Sequence, residues 1–358
     1  DTIVYFKSFG FADIATNEPM KDDSIFRIAS MSKAITSVAV MTLYEQGLFQ
    51  LNDPVSMYLP EFKNPQVIEV DRSGHITGTR PAIREIRIID LLTHSSGIGY
   101  PFIPGALQKT YVQSGVIDGI TSADVSLAEQ MHVLAQQPLL FDPGSDFAYG
   151  LSTDVLGYLV EVLSGQNLDQ FFQQQIFVPL AMRDTGFYLP KNKSDRLVTL
   201  YAHEPGGALK PAKGDESEIK VDNPRYPVEG ARSYFSGGAG LSSTAYDYAR
   251  FLQMLLNEGR LDGNRVLGRK SVELMRTART DDNDDGQVDF GLGFEVIDTI
   301  GVSGELGTEG AYSWGGAWYT WYWVDPAENL VGVFMSQVRP VQATVGQRFK
   351  TLVYQALE

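Results

Sequence analysis

The sequence contains no cysteine. Disulfides, thiol nucleophiles and thiolate metal ligands are excluded in one step. Basic charge is also short: 29 Lys and Arg against 44 Asp and Glu leave a formal net charge of -15. A phosphate-binding surface needs clustered cations, so no nucleic-acid partner is expected. No apolar run approaches the roughly 18 to 20 residues that cross a bilayer, and no membrane partner is expected either. Histidine is scarce, at His75, His94, His132 and His203. No serine sits in a Gly-x-Ser-x-Gly elbow, so a Ser-His-Asp triad has little to draw on. His94 is the histidine weighed as a base, because it lies in a conspicuous Thr-His-Ser-Ser-Gly turn.

What is present is ordinary globular material. The 358 residues are 43% hydrophobic and 20% charged, enough for two packed subdomains. Residues 3–13 read as strand, and 31–46 as a long helix closed by Gly47. The apolar positions of that helix lie on more than one face, which predicts a helix buried on all sides. Helical patterns recur at 126–137, 153–163 and 244–257, and 204–230 reads as a polar loop. The runs 312–324 and 329–337, flanking Asp325-Pro326-Ala327-Glu328, predict a hairpin, and a final helix places Val345, Phe349, Val353 and Ala356 on one stripe. The fold class is therefore α/β (α+β): an antiparallel sheet flanked by helices and built from both chain ends, residues 1–52 and 232–358. An all-helical or mainly helical subdomain, 53–231, is inserted between them. The chain opens on Asp1, directly into Ile3-Val4-Tyr5-Phe6. This points to an upstream segment, a signal peptide among the candidates, outside this numbering. The compartment stays open.

Ser30-Met31-Ser32-Lys33 is a Ser-x-x-Lys sequence at the start of the predicted buried helix. A spacing of three puts both side chains on one face, one turn apart. The helix N-terminus favours negative charge developing on a nucleophile. An apolar setting withdraws solvation from an ammonium and so favours the amine that accepts a proton. Ser217-Glu218-Ile219-Lys220 has the same spacing, but it sits in the polar loop with no apolar helix after it. The spacing alone does not select; the context does.

That context resembles the serine β-lactamase and penicillin-binding-protein superfamily. Ile28-Ala29-Ser30-Met31-Ser32-Lys33, followed by Leu43-Tyr44-Glu45-Gln46-Gly47, looks like its nucleophile block. Leu91-Leu92-Thr93-His94-Ser95-Ser96-Gly97, Phe141-Asp142-Pro143-Gly144 and Ser236-Gly237-Gly238-Ala239-Gly240-Leu241 follow in the matching order. The resemblance covers nearly the whole chain and is nearest to class C β-lactamases and family VIII carboxylesterases. Two motifs depart from the lactamase pattern. Tyr-x-Asn is Tyr149-Gly150-Leu151, and Lys-Thr-Gly is Trp314-Gly315-Gly316. In lactamases the lost asparagine bonds the substrate's amide and the lost lysine helps to hold its carboxylate. Both losses resemble family VIII esterases and imply neutral, apolar acyl groups.

By this resemblance Ser30 is the nucleophile, Lys33 its base and Tyr149 a second proton carrier. The backbone N–H groups of Ser30 and Ala317 form the oxyanion hole. Trp314, Gly315, Gly316, Leu151 and Tyr100 bind substrate, with His94 structural. The implied partner is a small ester, hydrolysed with no cofactor and no metal. The alternatives are a β-lactamase or D-Ala-D-Ala-type peptidase, and an acyltransferase with an alcohol acceptor. A catalytically silent scaffold is disfavoured by the presence of all three reacting groups. The acidic run Asp281 to Asp289 imitates an EF-hand loop, but its twelfth position is Leu292 where a bidentate glutamate is needed. It reads as a solvated turn.

Overall fold

The computed structural model describes residues 2–204, 206–212, 223–224, 226–281, 288–298, 300, 304–340 and 344–357. Its framework is a six-stranded antiparallel sheet in chain order: β1 (Thr280–Asp281), β2 (Val288–Phe290), β3 (Glu295–Ile297), β4 (Tyr312–Gly316), β5 (Thr320–Asp325) and β6 (Leu330–Phe334). The β5–β6 turn follows from its sequence: Asp325 Oδ1 accepts the amides of Ala327 and Glu328 at 3.1 and 3.2 Å.

Two expectations about this sheet fail. The run 312–324 is two strands, doubling back between Gly316 and Thr320 with Tyr319 at φ 63°. The turn runs Gly316-Ala317-Trp318-Tyr319, closed by the Tyr319 N–H on the Gly316 carbonyl at 3.1 Å; its Gly-Gly signal stands only at the start, and the aromatic alternation after it reads as continued strand. Trp314 stays half-buried on β4 while Trp318, in the turn, is buried with Ala29, Ile120 and Tyr226. The N-terminal run adds no strand to the sheet among the described residues. Phe11–Asp13 pairs only with Glu18–Pro19, and Tyr5 lays its ring 6.2 Å from Phe349. An apolar run becomes a strand only where a neighbour supplies its hydrogen bonds.

Helix α1 (Ser32–Glu45) is buried at every residue from Ser32 to Leu43, as an apolar surface on all sides requires. Removing one of its larger core side chains, such as Ile35, costs about 2–5 kcal/mol. Gly47 takes φ 76° just past its end. Helix α2 (Leu127–Ala135) starts with a reciprocal Ser126–Glu129 capping box. Helix α3 (Ser152–Ser164) packs against α1 and stops at left-handed Gly165. Helix α4 (Ala245–Leu256) covers β5 and β6 on the α1 side, where the Tyr248 hydroxyl donates to the Met31 carbonyl at 2.8 Å.

Helix α5 (Val345–Gln355) packs on the sheet beside Trp323 and Phe334 through Phe349. It is rolled away from the expected stripe: Val345 is exposed, whereas Lys350 is buried against Glu305 at 3.0 Å. The inserted region is not all-helical. Gln66–Val70 and Ile76–Pro81 form a hairpin within it, and Tyr201–His203 pairs with Leu209–Pro211. Short two-stranded ribbons leave little alternation to detect. One continuous core joins residues of α1, α3, α4, the insertion and the sheet.

Candidate active site

The chain leaves the short strand Phe26–Arg27 and turns sharply at Ala29, whose φ of 43° is rare for a residue with a Cβ. That turn sets Ser30 in a 3-10 turn, Ala29–Met31, leading into α1. Ser30 is half-buried and Lys33, one turn on, is 0% exposed. The Lys33 amine lies 3.3 Å from Ser30 Oγ, 2.9 Å from the Tyr100 hydroxyl and 2.8 Å from the Gly238 carbonyl. The carbonyl can only accept, and the phenol oxygen can accept a second N–H. A neutral amine therefore satisfies both and keeps its lone pair for the Ser30 proton. An ammonium uses all three contacts as donor. The arrangement fits both ends of a proton transfer.

Tyr149 reaches the same amine differently. Its ring face lies 4.6 Å from Nζ, and its hydroxyl accepts Trp314 Nε1–H at 3.2 Å. Tyr100, expected on the cleft wall, lies beneath the site at 4% exposure. Burial, then the neighbouring Tyr149, Asp154 and Asp118, push its phenol well above 10, so it stays protonated. The two tyrosines meet because their backbones are pressed together. A Cβ on Gly150 would stand 1.9 Å from the Ile98 carbonyl oxygen, so only glycine lets residues 98–99 cross there. Ser96 and Ser152 share a hydrogen bond of 2.8 Å across the same crossing.

The blocks at 91–97 and 141–144 brace this arrangement. Arg80 grips Asp142 at 2.6 and 3.0 Å, which holds its carboxyl down at about 2, and a Cβ on Gly97 would stand 2.7 Å from the Phe141 carbonyl oxygen. His94 is 1% exposed at φ 54°, with its ring 4.9 Å from Tyr149. Burial first, then the charge of Lys33, push its imidazole well below 6.5. It backs the tyrosine as a neutral ring.

The third motif closes the opposite wall. Strand β4 packs on the Ala29–Met31 turn, and a Cβ on Gly316 would stand 2.4 Å from the Ile28 carbonyl oxygen. The close neighbours of this glycine are the protein's own atoms, the Thr320 hydroxyl (2.2 Å from such a Cβ) and the Ile28 backbone. Ala317, exposed, follows it at the strand end. Gly315 has room: its Cβ would meet Thr320 and Trp321 at 3.4 and 3.7 Å. Leu151, expected at the substrate, is 0% exposed in the core, because the first turn of α3 points it inward. In this conformation it offers substrate no surface. Trp314 is half-buried, with Phe290 at 5.2 Å.

Sequence reasoning missed three members. The Gly238 carbonyl, Ser236 and Asp154 form the underside of the site, where Ser236 Oγ donates to Asp154 Oδ1 at 2.5 Å. The Ser236–Leu241 block was the available signal; Asp154 had none, looking like any acid in a first helical turn. Ser217 and Lys220, and most of the acidic run Asp281 to Asp289, lie outside the described residues. Among the described residues no group of three His, Asp or Glu is gathered for a metal.

A family model for Beta-lactamase matches residues 1–355. An uncharacterized protein of Mycobacterium tuberculosis is 34% identical over 354 residues, 95% of this chain and 84% of its own length. Esterase EstB of Burkholderia gladioli is 33% identical over 337 residues, 92% of this chain and 81% of its own. Among solved structures, EstCE1, a hydrolase with promiscuous acyltransferase activity, superposes with a TM-score of 0.83 at 27% identity, over 98% of this chain and 90% of its own. The chain belongs to the Beta-lactamase family, and it is a serine hydrolase with that family's fold.

Proposed function

We propose that the chain is a carboxylesterase that cleaves short-chain neutral esters through an acyl-enzyme on Ser30. One observation carries this reading. The third-motif wall presents a neutral indole, and that indole's N–H is already given to Tyr149 at 3.2 Å. That strand, Tyr312–Gly316, carries no cation to hold a substrate carboxylate. The relatives named an esterase and a hydrolase support the same reaction class.

In the proposed cycle Ser30 Oγ attacks the acyl carbon as its proton passes to Lys33 Nζ, 3.3 Å away. The carbonyl electron pair moves onto oxygen, held by the N–H groups of Ser30 and Ala317. The tetrahedral adduct collapses, the C–O bond to the alcohol breaks, and the departing oxygen takes the proton through Tyr149. Water then attacks the acyl carbon, gives up a proton along the same route and releases the acid with Ser30 restored. An alcohol in place of water makes the same intermediate a transferase, and the promiscuous acyltransferase activity of EstCE1 keeps that second outcome in view.

A β-lactam brings an amide and a carboxylate into this pocket, and each unpaired polar group costs about 1–3 kcal/mol. Two such losses lower kcat/KM by roughly 10² or more. The test measures p-nitrophenyl butyrate and nitrocefin with one enzyme sample, and kcat/KM for the ester is expected to be higher by at least about 10². Ser30→Ala is expected to abolish ester turnover and fluorophosphonate labelling while the fold is kept. Nitrocefin turnover equal to the ester's, or a Ser30→Ala variant with more than about a tenth of the activity, would overturn the reading.

A further inference from the structure

Asp154 is fully buried in the first turn of α3. Its Oδ1 takes the Ser236 hydroxyl at 2.5 Å. Its Oδ2 has no formed hydrogen bond among the described residues, the Gly238 N–H acting on the carboxylate without closing one. That oxygen lies hard against Gly238: a Cβ there would stand 2.4 Å from Oδ2 and 3.3 Å from the Tyr100 hydroxyl. The carbonyl of Gly238 is the one that accepts from Lys33. The acid is thus one peptide away from the amine.

We propose that Asp154 is a positioning residue for the reaction: its carboxylate is the counter-charge for the Lys33 ammonium formed when Ser30 gives up its proton, acting across the Gly238 peptide between them. The inference rests on Lys33 receiving that proton. An ammonium created at a site with 0% exposure has no water to stabilise it, and an uncompensated buried charge is strongly disfavoured. The hydrogen-bond partners of Lys33 (Tyr100, Gly238 and Ser30) are uncharged, and the Tyr149 ring face offers the ammonium a π contact but no counter-charge. The titratable groups that feel Asp154 are Lys33 on α1, Tyr100 after the Ser-Ser-Gly turn and Tyr234 before Ser236. Asp118 acts on the same two phenols, Tyr149 acts on Tyr100, and His94 feels Lys33. Both phenols are held protonated by burial, so the acid one peptide from the amine is Asp154; burial pushes its carboxyl up from the usual value, and the Ser236 hydroxyl, the charge of Lys33 and the Gly238 N–H work against that rise.

A purely structural aspartate would only start the helix and anchor Ser236, and asparagine does both. The test is therefore Asp154→Asn beside Lys33→Ala, with near-ultraviolet circular dichroism to check folding. Asp154→Asn is expected to lower kcat roughly 10- to 100-fold, less than losing a triad aspartate in direct contact with its base. KM should stay within about twofold, and the acid limb of kcat against pH should move down by about one unit, because protonating the amine no longer gains from an adjacent anion. Lys33→Ala should be inactive. An active Lys33→Ala sinks the reading of Lys33 as base. An inactive Lys33→Ala with an Asp154→Asn profile superimposable on the parent sinks this inference alone. A measurement on the unmodified enzyme stands if the variant does not fold. Calorimetry of phenylboronic acid binding to Ser30, in two buffers of different ionisation enthalpy, should find the serine proton retained. Release of about one proton per adduct would mean that Lys33 does not take the serine proton, and would overturn this inference together with the reading it rests on.

Discussion

At the floor of the site Tyr100 is buried and points its hydroxyl at Lys33, while at the rim Tyr149 turns its ring face to the same amine and gives its oxygen to Trp314. The two rings are 5.4 Å apart and share one lysine. Their difference separates two tasks. The buried phenol is held protonated and meets the amine from below, whereas the half-buried phenol lies at the mouth, where the proposed cycle has it pass protons to substrate. The same division runs through the rest of the site, where the floor is polar and buried and the rim is aromatic and neutral.

The sharpest way to break this comparison is to remove each hydroxyl in turn. Tyr149→Phe is expected to lower kcat by roughly 10² to 10⁴ with modest change in KM, as loss of a proton carrier does. Tyr100→Phe should cost less, about 10- to 100-fold, the worth of one hydrogen bond to a charged group. The reverse ranking would exchange the two roles. A smaller effect sharpens the rim. Trp314→Phe keeps an aromatic wall but withdraws the N–H from Tyr149, and kcat for a p-nitrophenyl ester should fall about two- to tenfold.

The smallest effect concerns the neutral ring behind Tyr149. The folded His94 imidazole titrates well below 6.5, and the unfolded one near it. Below that pH the unfolded chain binds a proton that the folded chain refuses, so stability falls as pH falls. The slope is at most about 1.4 kcal/mol per pH unit. His94→Asn, a residue that tolerates positive φ, should flatten it between about pH 6.5 and 5. Urea midpoints across that range would check it, and an unchanged slope would mean that His94 is charged when folded.

Much of this architecture was legible in the sequence where a pattern had length. The buried helix from Ser32 declared itself by apolar residues on every face, and the β5–β6 turn by its Asp-Pro sequence. The rest depended on contacts between distant segments. Tyr100 looked like a rim residue because nothing in its neighbourhood records that Gly150 will let residues 98–99 cross and push it underneath. The turn at Gly316 was hidden because its Gly-Gly pair reads as part of the third motif and its left-handed residue is Tyr319, an aromatic that continues the strand pattern. Asp154 was invisible for a related reason: its partners, Ser236 and Gly238, lie some eighty residues downstream.

The contrast between Gly315 and Gly316 bears on how such a site could evolve. A side chain at 315 would make only ordinary contacts, whereas one at 316 would collide with the Ile28 carbonyl and pull the strand off the nucleophile turn. Trp314→Lys with Gly315→Thr would write the lactamase triplet onto this strand, since a Cβ at 315 meets no clash and the third position is glycine in both. On this wall side-chain chemistry has room to vary at 314 and 315. The third is fixed by close packing, so any lineage exploring new acyl donors would have to vary its chemistry around an unchanging glycine.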